Sequence, residues 1–488
     1  MAKSADRDAA ATPTASGQPT RRALLGGVLR LGGGAAALAA LDLADPLLQL
    51  AHAADAAAKP GTTPTQLDRN YIFVYFSGGW DLLISLDPRD PAQFTKDKLS
   101  STQIDPGYEL LDDPPGGPKL VWAQPKQGPK IALGPYVGDL AKHIDKIALV
   151  RGMSMDTLTH EVGRRRFLTG KPPSGLVARG SSGATWLASW LGASAPIPQV
   201  AVRVEAYNKD QPNFASALKV NSVPDLVRSL QLGKDGFDPK IDALIDSTLT
   251  SFSACPGAQK SALWQQSESS RQKARQMVTG GYSDLFAFQA ANEQMASLRS
   301  HYGIAATGQA ALTSPEAQGA LAVQAICGGL SRVVSVQVPI LDAHFDTWAS
   351  EHGPDMLRGF NLIARIVEDL EKRPHPGGGN WLERTTIVGF SEFSRTTMIN
   401  QRGGRDHALT NACLLAGAGI RGGQVIGSSA DVALAPTPTH LVTGKTDVAN
   451  GEIVKPEHIY RALFHDLGVK EDVADLRVEP LRALLLKG

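Results

Sequence analysis

The stretch FSEFSRTTMINQRGGRDH (390–407) holds two acids, three arginines and a histidine at the end of the apolar run TTIVGF. Carboxylates and imidazoles in that mixture suit ligation of a divalent cation, and guanidinium groups suit the oxygens of an anion. The same residue types recur behind other apolar runs. YIFVYF (71–76) leads into Gly78, Gly79 and Asp81, and KIALVRGM (146–153) leads into Thr159 and His160. The run ending at Ile340 leads into Asp342, His344 and Asp346, and RTTIVGF (384–390) into Glu392, Arg395, Asp406 and His407. Singly, each is ordinary. Asp342-x-His344 reads as a loop turn, Asp406 beside Gly403-Gly404 as an Asp bonded to its own backbone, and Glu392 with Arg395 as an ion pair. Together they place carboxylates and imidazoles at one end of several strands. Acids gathered in one cleft need a compensating charge, which Zn²⁺, Mn²⁺ or Mg²⁺ supplies through mixed oxygen and nitrogen ligands.

The elements that must position these residues follow from periodicity. The four runs are short, apolar and rich in β-branched or aromatic residues, as buried strands are. Between them lie helical patterns: one ending at Thr169-Gly170 before a Pro pair, one opening at Pro315, and a long amphipathic one over 355–372. ALTNACLLAGAG (408–419) adds a strand, and KPEHIYRALFHDLGV (455–469) a closing helix. Near-continuous apolar strands alternating with helices indicate an α/β fold whose mostly parallel sheet is covered on both faces. Ligands of such sheets bind outside the carboxyl ends of the strands, where the listed side chains fall. Residues from about 205 to 318 are polar, helical in pattern and free of any comparable strand, and read as a helical insertion.

A chain of 488 residues with 42% hydrophobic and 20% charged content buries a large core. Its net charge of +1 offers no basic field for nucleic acid. Cys255, Cys327 and Cys413 are widely spaced and are expected as small buried residues. The N-terminus carries TRRALLGGVLRLGGGAAALAA (20–40), with paired Arg21 and Arg22 before a mildly apolar segment interrupted by Arg30. It is too weak for a membrane span and resembles a twin-arginine export signal, with AHA (51–53) as the cleavage site. The expected organisation is a signal over 1–53, a linker over 54–70 and one domain over 71–488. The expected location is periplasmic or extracellular, reached through the twin-arginine translocase and without a stable membrane span in the mature chain.

FVYFSGGWD, HEVGRRRFLTG, LDAHFDTW and above all SEF-x-R-T…N…GGRDH resemble domain-of-unknown-function family 1501, from about residue 71 to the C-terminus. Members are usually placed in the alkaline phosphatase/sulfatase-like superfamily. The resemblance implies a three-layer α/β/α sandwich with a two-metal hydrolytic site. By position it makes Asp81 the first-strand ligand, Asp342 and His344 a ligand pair, and Glu392, Asp406 and His407 the remaining ligands of one or two divalent ions. Arg395 or Arg405 would hold the non-bridging oxygens of a phosphate or sulfate ester. Superfamily phosphodiesterases carry a Ser or Thr nucleophile at the start of a helix ending in TG, and here that start falls on Thr159-His160. Either Thr159, or a water on the metal, is the nucleophile, or His160 occupies the position and the esterase chemistry is altered or absent. One alternative is a non-catalytic exported binding or assembly protein that keeps the fold, and another is a hydrolase or transferase acting on a cell-envelope component such as a cell-wall or extracellular polymer.

Overall fold

The first apolar run forms strand β1 (Asn70–Phe76), whose side chains alternate between two cores. Ile72, Val74 and Phe76 pack into one, and Tyr71, Phe73 and Tyr75 into the other. Burial on both faces is why the run is continuously apolar. The computed structural model describes residues 63–487 apart from 113, 232–237 and 339. The arginine pair, the 51–53 cleavage site and the linker up to residue 62 lie outside the described residues.

Seven further strands join β1 in one sheet: β2 (Ile147–Ser154), β3 (Gln199–Val202), β4 (Leu218–Val220), β5 (Val333–Gln337), β6 (Thr385–Ser391), β7 (Thr410–Gly417) and β8 (Gln424–Ile426). Their order is β8-β2-β7-β6-β1-β5-β3-β4. Only β7 runs antiparallel to its neighbours; the other pairings are parallel. Helices α1 (His160–Thr169), α2 (Gly183–Leu191) and α5 (Pro456–Asp466) bury their apolar residues on the Tyr71 face. Helices α3 (Pro315–Cys327) and α4 (Gly353–Lys372) cover the Ile72 face. The result is the three-layer α/β/α arrangement around a mostly parallel sheet.

Two details position the site. Strands β1, β2, β5 and β6 end at one sheet edge, and antiparallel β7 begins there, so the loop leading into β7 returns to that edge. The turn after β1 needs glycine. Gly78 has φ +102°, and a Cβ on it would lie 2.7 Å from the backbone of Leu341 and Asp342. That contact presses the β1 turn directly onto the loop after β5.

Two expectations are corrected. The 205–318 segment is largely helical, including Pro239–Ser253 and Ala262–Thr279, but it contributes edge strand β4. A three-residue strand centred on Lys219 is too short to show a period of two. Of the cysteines, Cys413 is buried and Cys327 partly so, but Cys255 is exposed; all three are free thiols. Among the described residues no helix is long and apolar enough to cross a membrane.

Candidate metal centre

Loops from two strand ends, and the return loop into β7, bring four donors together. His160 is the first residue of α1, which follows β2. Asp342 and His344 lie in the loop after β5. His407 belongs to a two-residue strand pair, His407–Ala408 with Ser394–Arg395, that sets it opposite Arg395. One ligand atom from each of His160, Asp342, His344 and His407 falls within 4.8 Å of all the others. Asp342 Oδ1 is 3.1 Å from His344 Nε2, 3.6 Å from His160 Nε2 and 3.9 Å from His407 Nε2. His344 Nε2 and His407 Nε2 are 2.9 Å apart.

The other ring nitrogens decide the protonation. His160 Nδ1 donates to Glu392 Oε1 at 2.8 Å, and His344 Nδ1 to Asp406 Oδ1 at 2.9 Å. His407 Nδ1 lies 2.6 Å from the carbonyl oxygen of Leu158, which can only accept. Arg395 Nη1, which can only donate, stands 3.3 Å from His344 Nε2. With Nδ1 carrying the hydrogen, a neutral ring at each of these places turns an Nε2 lone pair toward Asp342. Burial first, and the neighbouring Arg395, His160 and His344, outweigh the Leu158 contact, which acts to raise it, and leave the His407 ring below its ordinary value, so a shared proton is disfavoured there. Lone pairs facing one another beside a carboxylate repel unless a cation lies among them.

The donor set fits a divalent ion. Four tetrahedral donors at about 2.0–2.1 Å from zinc sit roughly 3.3 Å from one another, and the observed separations straddle that value. Carboxylate or carbonyl partners on the far nitrogen are the usual support of metal-ligating histidines, fixing tautomer and ring direction. Three imidazoles and one carboxylate suit Zn²⁺ or Mn²⁺ better than Mg²⁺, which prefers oxygen. The charges agree. Burial acts to raise the Asp342 carboxyl, but the Arg395 hydrogen bond and charge outweigh it and hold the group below the usual range. The His344 hydrogen bond does the same for Asp406.

Packing holds the rings. Phe393, fully buried, lies with its ring centroid 4.2 Å from His407 and 4.8 Å from His160. Gly163 lets α1 approach: a Cβ there would stand 2.5 Å from the Glu392 carbonyl oxygen. Asn400 Nδ2 donates to the His344 carbonyl at 3.1 Å, closing the long loop over the site.

Several expected roles change. Glu392 is fully buried behind His160, taking Gly78 N–H at 2.7 Å as well, so it orients rather than ligates. Asp406 plays the same part for His344. Asp81 is not among the converging donors: it is buried, accepts from Trp348 Nε1 at 2.8 Å, and pairs with Arg405 Nε at 2.9 Å. Arg395 and Arg405 are committed inside the protein, Arg395 to Asp342 Oδ1 at 2.7 Å as well as to the backbone. Both are buried, with Arg395 donating to Gly79, Leu341 and Arg405 carbonyls, and Arg405 to those of Asp105, Pro106 and Thr396. His160, expected at the nucleophile position, is one of the four converging donors. Thr159 is the exposed N-cap of α1 and makes no capping bond through its side chain. Of the one or two ions expected, the described residues bring together a donor group for one. Sequence reasoning missed Phe393 and Arg402; Arg402 is the one arginine of the 390–407 stretch left exposed, 4.7 Å over the Phe345 ring. Its place beside two glycines in a loop was the available signal.

Two solved structures are distantly similar. One is a protein in the alkaline phosphatase superfamily from Vibrio parahaemolyticus, with 10% identity and a TM-score of 0.35 over 88% of this chain and 77% of that one. The other is alkaline phosphatase from the Antarctic bacterium TAB5, with 10% identity and a TM-score of 0.28 over 72% of this chain and 92% of that one. Likeness at that level says nothing of the site. No curated protein matches the chain. The sequence pattern described as "Protein of unknown function (DUF1501)" matches residues 68–443, a span that holds all four converging donors and every group that orients them. The chain therefore belongs to the DUF1501 family.

Proposed function

We propose that the protein is an exported metal-dependent hydrolase of phosphate or sulfate esters, built on one divalent ion rather than two. The observation that carries this reading is the set of three Nε2 lone pairs and one carboxylate, each ring held from behind at Nδ1. A divalent ion there would act as a Lewis acid on an ester oxygen. The chain's own residues supply the rest. The N-terminus of the ten-residue helix α1 opens at His160, and its free N–H groups and dipole favour an anionic group at that spot. Arg402 reaches the anion from the rim. The Thr159 hydroxyl bonds to phosphorus or sulfur, the ester bond breaks, and the departing alcohol takes the proton; water then releases the anion and restores the hydroxyl. The phosphate or sulfate class comes from the resemblance of the sequence motifs, and export from the Arg21-Arg22 segment.

A panel of aryl phosphates, phosphodiesters and sulfates with Zn²⁺ or Mn²⁺ tests the reading. Turnover that falls at least 100-fold in Thr159→Ala is expected; no turnover with any ester would overturn it. The burial of Arg395 and Arg405 favours a second reading, a binding protein that keeps the metal without turnover, and the same panel separates the two. Export is tested by replacing Arg21-Arg22 with lysines and following the chain's appearance outside the cytoplasm.

A further inference from the structure

Every one of the four ligands stands within two residues of a large exposed apolar side chain. Leu158 (46% exposed) precedes His160, Ile340 (65%) precedes Asp342, Phe345 (52%) follows His344 and Leu409 (48%) follows His407. Single exposed apolar residues are ordinary, but four on the three loops that carry the ligands give this polar centre an apolar surround, its rim. Hydrogen bonds tie the rim to the site. The Leu158 carbonyl holds His407, and the Leu409 carbonyl takes Met155 N–H at 3.0 Å beside the end of β2. Phe345 carries the Arg402 guanidinium on its ring. At the centre, one carboxylate and three neutral imidazoles around a divalent ion leave a net positive charge.

We infer that the ligand of this site is an anionic amphiphile: a phosphate, phosphonate or sulfate group bound at the centre, carrying an alkyl or aryl portion that lies on the rim. This deepens the hydrolase reading and rests on its metal site. An inorganic anion or a sugar phosphate would cover none of the four side chains. A few polar groups converging inside an apolar lining is the usual composition of a small-molecule site. The rim is offered to one amphiphile molecule at a time, not to a bilayer.

The test is calorimetric titration of the metal-loaded full chain with methyl-, butyl- and octylphosphonate. Affinity is expected to rise by about threefold to fourfold per methylene until the rim is covered. In the double variant L158S/I340S the rise should flatten, with methylphosphonate affinity and metal content unchanged. Equal affinity along the series, no binding of octylphosphonate, or a gradient that survives in the double variant would overturn the inference. Co-sedimentation with phosphatidylglycerol vesicles without a chain-length gradient would overturn it in favour of a bilayer-docking face. A gradient with no turnover of any ester would leave the rim standing and remove only the hydrolase reading.

Discussion

Two sets of charged side chains, built from the same residue types, lie one behind the other at this sheet edge. The outer set, His160, Asp342, His344 and His407, has side chains 19–43% exposed and keeps Nε2 lone pairs turned toward a shared carboxylate. The inner set, Asp81, Arg395 and Arg405, is 0–2% exposed and spends its donors and acceptors on carbonyls, amides, Trp348 and the Asp81–Arg405 pair, with one Arg395 bond reaching Asp342 of the outer set. The difference teaches that charge density at a strand end does not by itself mean a ligand. What separates a site from a scaffold is whether donors are left unmatched, because a buried charge without partners is not tolerated.

That contrast can be broken by mutation. The largest effect is expected in the inner set. Arg405→Ala strands Asp81 in the interior and should cost about 3–5 kcal/mol of stability by urea unfolding. His407→Ala, in the metal-free protein, should stay within about 1 kcal/mol of wild type. Equal losses in the two variants would erase the distinction. Next is the orienting layer: Glu392→Gln should weaken metal binding about 10–100-fold in chelator competition, with the fold intact. A ligand role for Glu392 would instead abolish binding.

The smallest effect sharpens the comparison with a fourth histidine. His352 lies buried in the π-helical turn Trp348–His352, with its ring against the Leu341 backbone. Burial first, then the charges of Arg395 and Arg405, push it down to about 3. The unfolded chain protonates this ring near 6.5 while the folded chain does not, so its contribution to stability is lost as pH falls from 6.5 toward 3. Between pH 7 and 5 the wild type should lose about 1–2 kcal/mol more than His352→Leu. Parallel pH dependence in the two proteins would show that the ring carries a proton after all.

The sheet was legible in the sequence, and so were the strand ends from which the candidate donors come. Buried strands write themselves as apolar runs, and the carboxyl-edge rule then gathers their followers. Depth was not legible. Asp81 and Asp342 both follow a strand closely, but Gly78 and Gly79, with φ +102° and +88°, turn the chain so that Asp81 goes under the edge. Glu392 follows Ser391, the last residue of β6, directly and is buried with the strand, whereas Asp406, fourteen positions on, lies at the surface of the return loop. His160 stood in the expected nucleophile position, and only its Nδ1 bond to Glu392 reveals which way its other nitrogen faces. Strand β4 was missed because three residues around a lysine carry no pattern.

The most direct test of the account is elemental analysis of purified protein, comparing wild type with His160→Ala, His344→Ala and His407→Ala. The account predicts one divalent ion per wild-type chain and almost none in each variant, with all four proteins folded by circular dichroism. Full metal content in the three variants, or none in the wild type, would contradict it.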